Sequence, residues 1–443
     1  MKNSLENREG TNTEASPCNR RQFIANTGKG LIAATILAEL STLSASGQQV
    51  QTKMPVDPNE LKPIELSPLD APTEKKSGPL PTPLSPAKRI RYALVGLGHL
   101  TLEELLPAFA SCKYSKVTAL VSGDAAKAAK VAGQYGIDPK NIYNYQNYDN
   151  IRNNPEIDAV YIVLPNSMHA EFTIRAAKAG KHVLCEKPMA NSSKEAREMI
   201  DACKAAGKKL MIAYRIQYEP HNRLAKKWTR EKKYGTVKII EAVNTQNIGD
   251  PAQWRLNKKL AGGGALPDIG IYCLNTIRFL LGEEPVEVQG SVYSSPGDPR
   301  FKEVEEAVLW QMKFPSGVQA NCTTSYGVHQ ARRYRCYADQ GGWFGLDPAF
   351  AYERLQMEVS QAQDKMEVKQ SPSLTEENQF ALEIDHFSEC IMQNKQPYTP
   401  GEEGHQDHLI IEAIYESART GRPVKLEKAT RLDATRGPEP KES

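Results

Sequence analysis

The chain has 443 residues, a length that suggests two domains plus extra segments at roughly 100–200 residues per domain. Apolar residues make up 40% and the mean hydropathy is −0.53, enough apolar mass for a core, while no run reaches the ~18 apolar residues of a spanning helix. The 56 basic and 53 acidic residues are thoroughly mixed and leave a net charge of +3, which excludes the clustered basic footprint of a nucleic-acid binder.

Eight cysteines are present, none in a Cys-x-x-Cys pair, so neither a zinc site nor a dithiol motif is indicated and no metal is expected.

Residues 1–47 read as an address. Arg20 and Arg21 are followed by Gln22-Phe23-Ile24, an apolar segment over 31–43 and then Ser44-Ala45-Ser46. Twin arginines, a short apolar region and small residues resemble a twin-arginine export signal, which predicts a periplasmic protein. Residues 48–87 hold nine prolines and cannot build a core element alone. They form either a spacer or an extended arm laid over a neighbouring subunit.

A domain over 88–215 begins with Ile90-Arg91-Tyr92-Ala93-Leu94-Val95, an apolar run expected of a strand buried on both faces. It ends in Gly96-Leu97-Gly98-His99, and a helical pattern begins by Glu103. Strand, glycine turn and helix N-terminus together place backbone N–H groups where a pyrophosphate can sit. Thr101 stands where the fingerprint carries its third glycine, which puts close helix packing in doubt.

The second strand, 116–123, ends in Ser122-Gly123-Asp124, with Lys127 in the following helical turn. A hydroxyl beside an ammonium suits a 2′-phosphate and favours NADP. Asp124 is the kind of acidic residue that would instead favour NAD.

Alternation continues with a helix over 125–135, a short strand near 142–145 and a strand over 158–165. A helix over 170–179, a strand over 182–185, a helix over 194–206 and a strand over 209–214 complete it. Such regularity means a doubly wound parallel sheet with ligands at the strands' C-terminal ends, where Asn166, His169, Glu186, Lys187 and Arg215 all lie. Pro188 fixes the turn that follows Lys187.

From residue 216 to 428 the pattern changes. Strands over 237–246, 286–294, 307–314 and 318–326, with turns such as Pro315-Ser316-Gly317, read as an antiparallel sheet. Between the first two lies Gly262-Gly263-Gly264-Ala265-Leu266-Pro267-Asp268-Ile269-Gly270-Ile271-Tyr272. Asp268 and Tyr272 are four apart and share one face of a helix. Residues 429–443 are a polar tail.

These motifs, together with Leu164-Pro165-Asn166, Glu186-Lys187-Pro188 and Ala252-Gln253-Trp254-Arg255, resemble the glucose–fructose oxidoreductase branch of the Gfo/Idh/MocA family over about residues 89–425. The export signal and the proline-rich arm fit that branch, as does Tyr272 where most relatives carry His. The resemblance implies an α/β fold: an N-terminal Rossmann doubly wound parallel sheet plus a C-terminal α+β domain with a predominantly antiparallel sheet. It also implies tightly held NADP (NAD is the alternative), sugar substrates and a homo-oligomer built through the second domain's sheet.

On that resemblance Lys187 lies beside the nicotinamide, and Asp268 and Tyr272 handle the sugar hydroxyl. Gly96, Leu97, Gly98, His99, Leu164, Pro165, Asn166, His169, Glu186, Lys187 and Arg215 are the cofactor-binding set at the strand ends. Ser122, Lys127 and Tyr145 meet the adenosine phosphate, and Trp254 and Arg255 cover the cofactor.

The chemistry asks for the same residue types. A free tyrosine, with a pKa near ~10, is a poor base at neutral pH, and an adjacent ammonium such as that of Lys187 favours its phenolate. Tyr272 is therefore expected as acid/base, Lys187 as tuner and sugar-oxygen donor, and Asp268 as orienting partner.

Export with a dinucleotide predicts a cofactor that never leaves, so that one aldose is oxidised to a lactone and a second sugar carbonyl, such as that of fructose, is reduced. The alternatives are an ordinary sugar or polyol dehydrogenase with exchangeable NAD(P), an NAD-cycling glycoside hydrolase on the same fold, and a non-catalytic sugar-binding protein. Loops at 216–218, 248–250 and 326–333 are expected to line the pocket.

Overall fold

A computed structural model describes Ser85 and residues 88–440. The export signal and nearly all of the proline-rich arm lie outside the described residues. Strand β1 (Ile90–Val95) buries every side chain except that of Arg91, as a central parallel strand must when helices cover both faces. Helix α1 (Leu106–Ser111), β2 (Ser115–Val121), α2 (Ala125–Tyr135), β3 (Ile142–Tyr143), β4 (Ala159–Ile162), α3 (His169–Lys178), β5 (His182–Glu186), α4 (Ser193–Ala205) and β6 (Leu210–Ala213) follow. The six strands are parallel in the order β3-β2-β1-β4-β5-β6. The order reverses between β1 and β4, which opens a crevice at their C-terminal ends.

The helix after Gly96-Leu97-Gly98 begins earlier than the sequence pattern suggested. Leu100–Leu105 is a π-helical turn that runs directly into α1. Thr101 is fully buried and its hydroxyl donates to the Gly96 carbonyl at 2.7 Å. The wider turn accommodates a β-branched side chain where a third glycine would permit a tighter start.

The second domain carries α5 (Pro220–Arg230), β7 (Val237–Asn247), α6 (Ile271–Leu281), β8 (Glu287–Tyr293), β9 (Ala307–Lys313), β10 (Gln319–Ser325), β11 (Gly327–Ala338), β12 (Gly342–Leu346), β13 (Met357–Gln363), β14 (Met366–Gln370), α7 (Gln379–Met392), α8 (Gly401–Thr420) and β15 (Val424–Lys425). The sheet order is β14-β13-β12-β11-β7-β10-β9-β8-β15, antiparallel throughout except for the parallel β7–β10 pair. In β9 Val308, Trp310 and Met312 are buried while the residues between them are not, so one face packs inward.

Two stretches differ from their sequence reading. Residues 327–333 begin β11, paired with β7 through an irregular register, rather than forming a loop. Residues 429–440 are anchored: Arg436 is buried and donates to Glu403, Gln217 and Asp433. Among the described residues no helix is long and apolar enough to cross a membrane, and no cluster of His, Cys, Asp and Glu could hold a metal ion.

Candidate active site

At the end of β1 the backbone turns through Gly96 with φ +101°, and a Cβ there would collide with the Val163 carbonyl just past β4. Only glycine serves where two strand ends approach so closely. Gly98 faces the opposite situation, with nothing within 4 Å of where its Cβ would stand. Open space beside a helix start is what a pyrophosphate requires. Leu97 is buried beneath this turn, while the exposed His99 ring pairs with Glu103 at 2.9 Å.

Past β2 the Ser122 hydroxyl accepts from the Asp124 N–H at 3.1 Å, and the Asp124 carboxylate accepts from the Lys127 N–H at 2.9 Å. Asp124 thus caps α2 with the carboxylate that the sequence offered as an argument for NAD. Lys127 is exposed, and the Tyr145 ring lies against Gly123 and edge-on to Phe172 at 5.4 Å.

Leu164 and Pro165 lead out of β4 into residues that brace the site from behind. Asn166 donates to the Ala261 carbonyl at 2.9 Å. The buried His169 ring places its nitrogens 2.9 Å from the Pro188 carbonyl and 2.8 Å from that of Leu164. It therefore ties the loop after β4 to the loop after β5. Arg215, also buried, donates to the Phe350 and Ala351 carbonyls and to Gln379. Asn166, His169 and Arg215, expected among cofactor contacts, all bond protein partners, although the buried Arg215 Nε has none.

Lys187 follows β5 and enters the crevice. Its ammonium donates to the Asp268 carbonyl at 2.7 Å and to the Asp268 carboxylate at 3.2 Å, and lies 4.8 Å from the centre of the Tyr272 ring. The other Asp268 oxygen accepts from Arg255 at 3.0 Å and from the Tyr326 hydroxyl at 2.5 Å. Burial alone would push the Asp268 carboxyl up, but Lys187 and Arg255 outweigh it and hold the group well below the usual carboxylate range.

Burial opposes the charge on Lys187 as well; Tyr272, Asp268 and Glu186 outweigh it and keep the ammonium protonated. Glu186 accepts from the Tyr161 hydroxyl at 2.8 Å, and burial raises its pKa. Arg255 stacks on Trp254 at 4.6 Å, placing both on the second-domain side of the crevice.

Asp268 sits in a π-helical turn, Leu266–Gly270, that continues into α6, where Tyr272 is the second residue. The close approach of Gly264 to the Glu305 carbonyl leaves no room for a Cβ and seats this turn against the loop that leads into β9. Lys187 spans both residues of the pair. Ile216 lines a small cavity with Lys187, Tyr214 and Tyr272. Of the other loops expected at the pocket, Tyr326 reaches Asp268, Ile248 packs in the small apolar cluster that also holds Tyr326 and Ile269, and the Tyr218 hydroxyl meets that of Thr399.

Residues 90–214 match the model of an oxidoreductase family with an NAD-binding Rossmann fold, and residues 222–343 match the GFO/IDH/MocA C-terminal domain. The chain belongs to the Gfo/Idh/MocA oxidoreductase family. Among relatives of this Gfo/Idh/MocA chain is the D-xylose 1-dehydrogenase [NADP(+)] of Haloarcula marismortui, 34% identical over 344 residues that cover 76% of this chain and 93% of the relative. The 1,5-anhydro-D-fructose reductase of Ensifer adhaerens is 26% identical, covering 76% and 98%. Among solved structures, aldose-aldose oxidoreductase from Caulobacter crescentus complexed with glycerol superposes with a TM-score of 0.73 at 45% identity, covering 76% of this chain and 100% of that one.

Sequence reasoning placed Tyr326 at the start of a pocket-lining loop without its bond to Asp268, and missed Gln379, which bonds Arg215, and Tyr352, whose ring lies over the Arg215 guanidinium. Tyr352 and Gln379 lie in stretches without Gly-rich or strand-end signals, and only tertiary placement brings them to the site.

Proposed function

We propose that this Gfo/Idh/MocA chain is an NADP-dependent sugar oxidoreductase that oxidises an aldose to a lactone and reduces a second sugar carbonyl with a cofactor it does not release. The observation that carries this reading is the convergence of Lys187, Asp268, Arg255 and Tyr272 past the end of β5, in the sheet whose strand β1 ends in the open Gly98 turn. The glycine turn would hold the pyrophosphate, and Ser122, Lys127 and Tyr145 the adenosine end. Asp124, engaged with its own helix, leaves a hydroxyl and an ammonium for a 2′-phosphate. When bound, the dinucleotide supplies the hydride acceptor and donor.

The chain's own residues move the proton. Tyr272 takes it from the C1 hydroxyl during oxidation and returns one to the carbonyl oxygen during reduction. Lys187 presents positive charge where that oxygen becomes anionic, and Asp268 holds Lys187 in place. Residues 1–47 serve as a twin-arginine signal that delivers the folded, cofactor-loaded protein to the periplasm, where no free pool would replenish NADP. The identity shared with an aldose-aldose oxidoreductase supports the two-sugar reaction.

An oligomer is part of the same reading. Ile239, Tyr293 and Leu309 are exposed, and the registers of β7, β8, β9 and β10 put all three on one face of the large sheet.

The D-xylose 1-dehydrogenase [NADP(+)] relative favours a second reading, in which cofactor exchanges freely. Purified protein should release NADP on heat denaturation and, without added nucleotide, give parallel lines in double-reciprocal plots with two sugars. An empty preparation, or turnover that requires added NADP, would establish the exchanging enzyme instead.

A further inference from the structure

The loop between β12 and β13, residues 347–356, is fixed by two buried side chains. Arg215 donates to the Phe350 carbonyl at 2.8 Å and to the Ala351 carbonyl at 3.0 Å. Gln379, at the start of α7, donates to the Ala351 carbonyl at 3.1 Å and to that of Tyr352 at 2.6 Å, while its own oxygen accepts from Arg215 at 2.6 Å. Arg215 is 3% exposed and Gln379 2%. Burying a guanidinium and an amide is unfavourable unless their hydrogen bonds are made, and here most of those bonds define the path of three consecutive loop residues.

What this arrangement holds in place is Tyr352, a side chain 43% exposed to solvent. One face of its ring rests on the Arg215 guanidinium at 4.5 Å, and the ring meets Phe380 edge-on at 5.3 Å. The Tyr272 ring lies 5.0 Å from the same guanidinium, so Arg215 is shared between two phenols. Phe350, two residues earlier in the loop, packs on the Tyr272 ring at 5.9 Å. Burial above all raises the pKa of the Tyr352 phenol, with the Arg215 and Lys187 charges opposing it. Stability alone does not call for this, since a solvent-facing tyrosine contributes little that a smaller residue would not.

A sugar offers a face of C–H bonds and an edge of hydroxyls. A rigid tyrosine offers the matching surface, an apolar face with a hydroxyl at its tip. We propose that Tyr352 is a substrate-contacting residue, the wall on which the sugar's C–H face packs beside Tyr272, with its hydroxyl meeting a sugar hydroxyl and helping to select which sugar enters. This rests on the sugar oxidoreductase reading given above.

The test uses the full chain as purified with its own nucleotide, as wild type, Tyr352→Phe and Tyr352→Ala. Glucose and xylose are each titrated kinetically and, independently, by calorimetry. Tyr352→Ala should raise KM and Kd for both sugars about tenfold or more, with kcat within about threefold and with bound nucleotide and Tm unchanged. Tyr352→Phe should change the ratio of the two KM values. Unchanged KM and Kd in the alanine variant would overturn the proposal, as would a loss of bound nucleotide that parallels the loss of activity. If the wild type binds sugar without turnover, the oxidoreductase reading fails, while the calorimetric comparison still decides the role of Tyr352. If the wild type binds neither sugar, both fall.

Discussion

The Lys187 ammonium grips Asp268 twice, at the backbone carbonyl and at the carboxylate, across 81 residues of sequence. This contact joins the C-terminal edge of the parallel sheet to the turn that launches α6, so the geometry at Tyr272 depends on it. Asp268 is also the anion that Arg255 and the Tyr326 hydroxyl face.

Asp268→Asn therefore leaves the buried Lys187 ammonium and the partly exposed Arg255 guanidinium without their counter-ion and should destabilise the fold by about 3 kcal/mol at pH 7. The sign with pH follows from the depressed pKa of the native carboxyl. A depressed carboxyl contributes stability above its unfolded value, near 3.9, and loses it as pH falls toward the native value. Denaturant midpoints of wild type and variant should thus differ by a constant amount from pH 8 to about 5 and converge only below about pH 4. Convergence already at pH 6 would show that Asp268 is not held as an anion.

Lys187 and Arg215 lie over the Tyr272 ring and Phe350 packs beside it. Removing only the hydroxyl should leave these intact. Tyr272→Phe should lower kcat about 10²–10⁴-fold for sugar oxidation, with Tm and nucleotide content unchanged. Near-normal turnover in that variant would remove Tyr272 from the proton transfer.

Much of this site was legible in the sequence because glycine and proline mark it. Gly96 and Gly98 punctuate β1, Pro188 follows Lys187, and the run Gly262-Gly263-Gly264 precedes Asp268, so these functional residues lie beside turns whose backbone demands are visible locally. The parallel sheet was legible for a similar reason, since strands buried on both faces read as unbroken apolar runs. Strand β11 was not, because Arg332, Arg333 and Arg335 lie within it and mask the alternation. Tyr326 and Tyr352 acquire meaning only through partners in distant segments, and Glu383 looks like any helix-surface acid until α7 is seen to bury it.

Glu383 is fully buried, and neither of its carboxylate oxygens has a hydrogen-bond partner. Burial, and secondarily the negative charge of Glu186, push its pKa well up, and the nearby Arg215 does not compensate. A carboxyl with a raised native pKa costs stability as pH rises from the unfolded value, near 4.3, to the native one, at up to about 1.4 kcal/mol per pH unit. Glu383→Gln, nearly isosteric and never charged, should match the wild type at pH 4 and become progressively more stable than it between pH 5 and pH 7. Parallel stability curves for the two proteins across that range would contradict this.

The C-terminal segment enters the fold as a buried counter-ion. Arg278 pairs with Glu284, Glu403 and Asp407, and Arg436 brings a second guanidinium to Glu403 at 2.6 Å. Burial alone would raise the Glu403 carboxyl, yet the two arginines hold it down at about 2. Asn275, one turn beyond Tyr272 on α6, donates to Glu403 and Asp407, so the network lies directly beneath the site. Arg436→Ala would leave Glu403 to share Arg278 with Glu284 and Asp407, three carboxylates against one cation. It should cost about 3–5 kcal/mol, read as a fall in the denaturant midpoint at pH 7. Arg436→Lys keeps the charge but loses the planar fork, and should recover only part of that loss. An alanine variant as stable as the wild type would mean that Glu403 is balanced without the C-terminal segment.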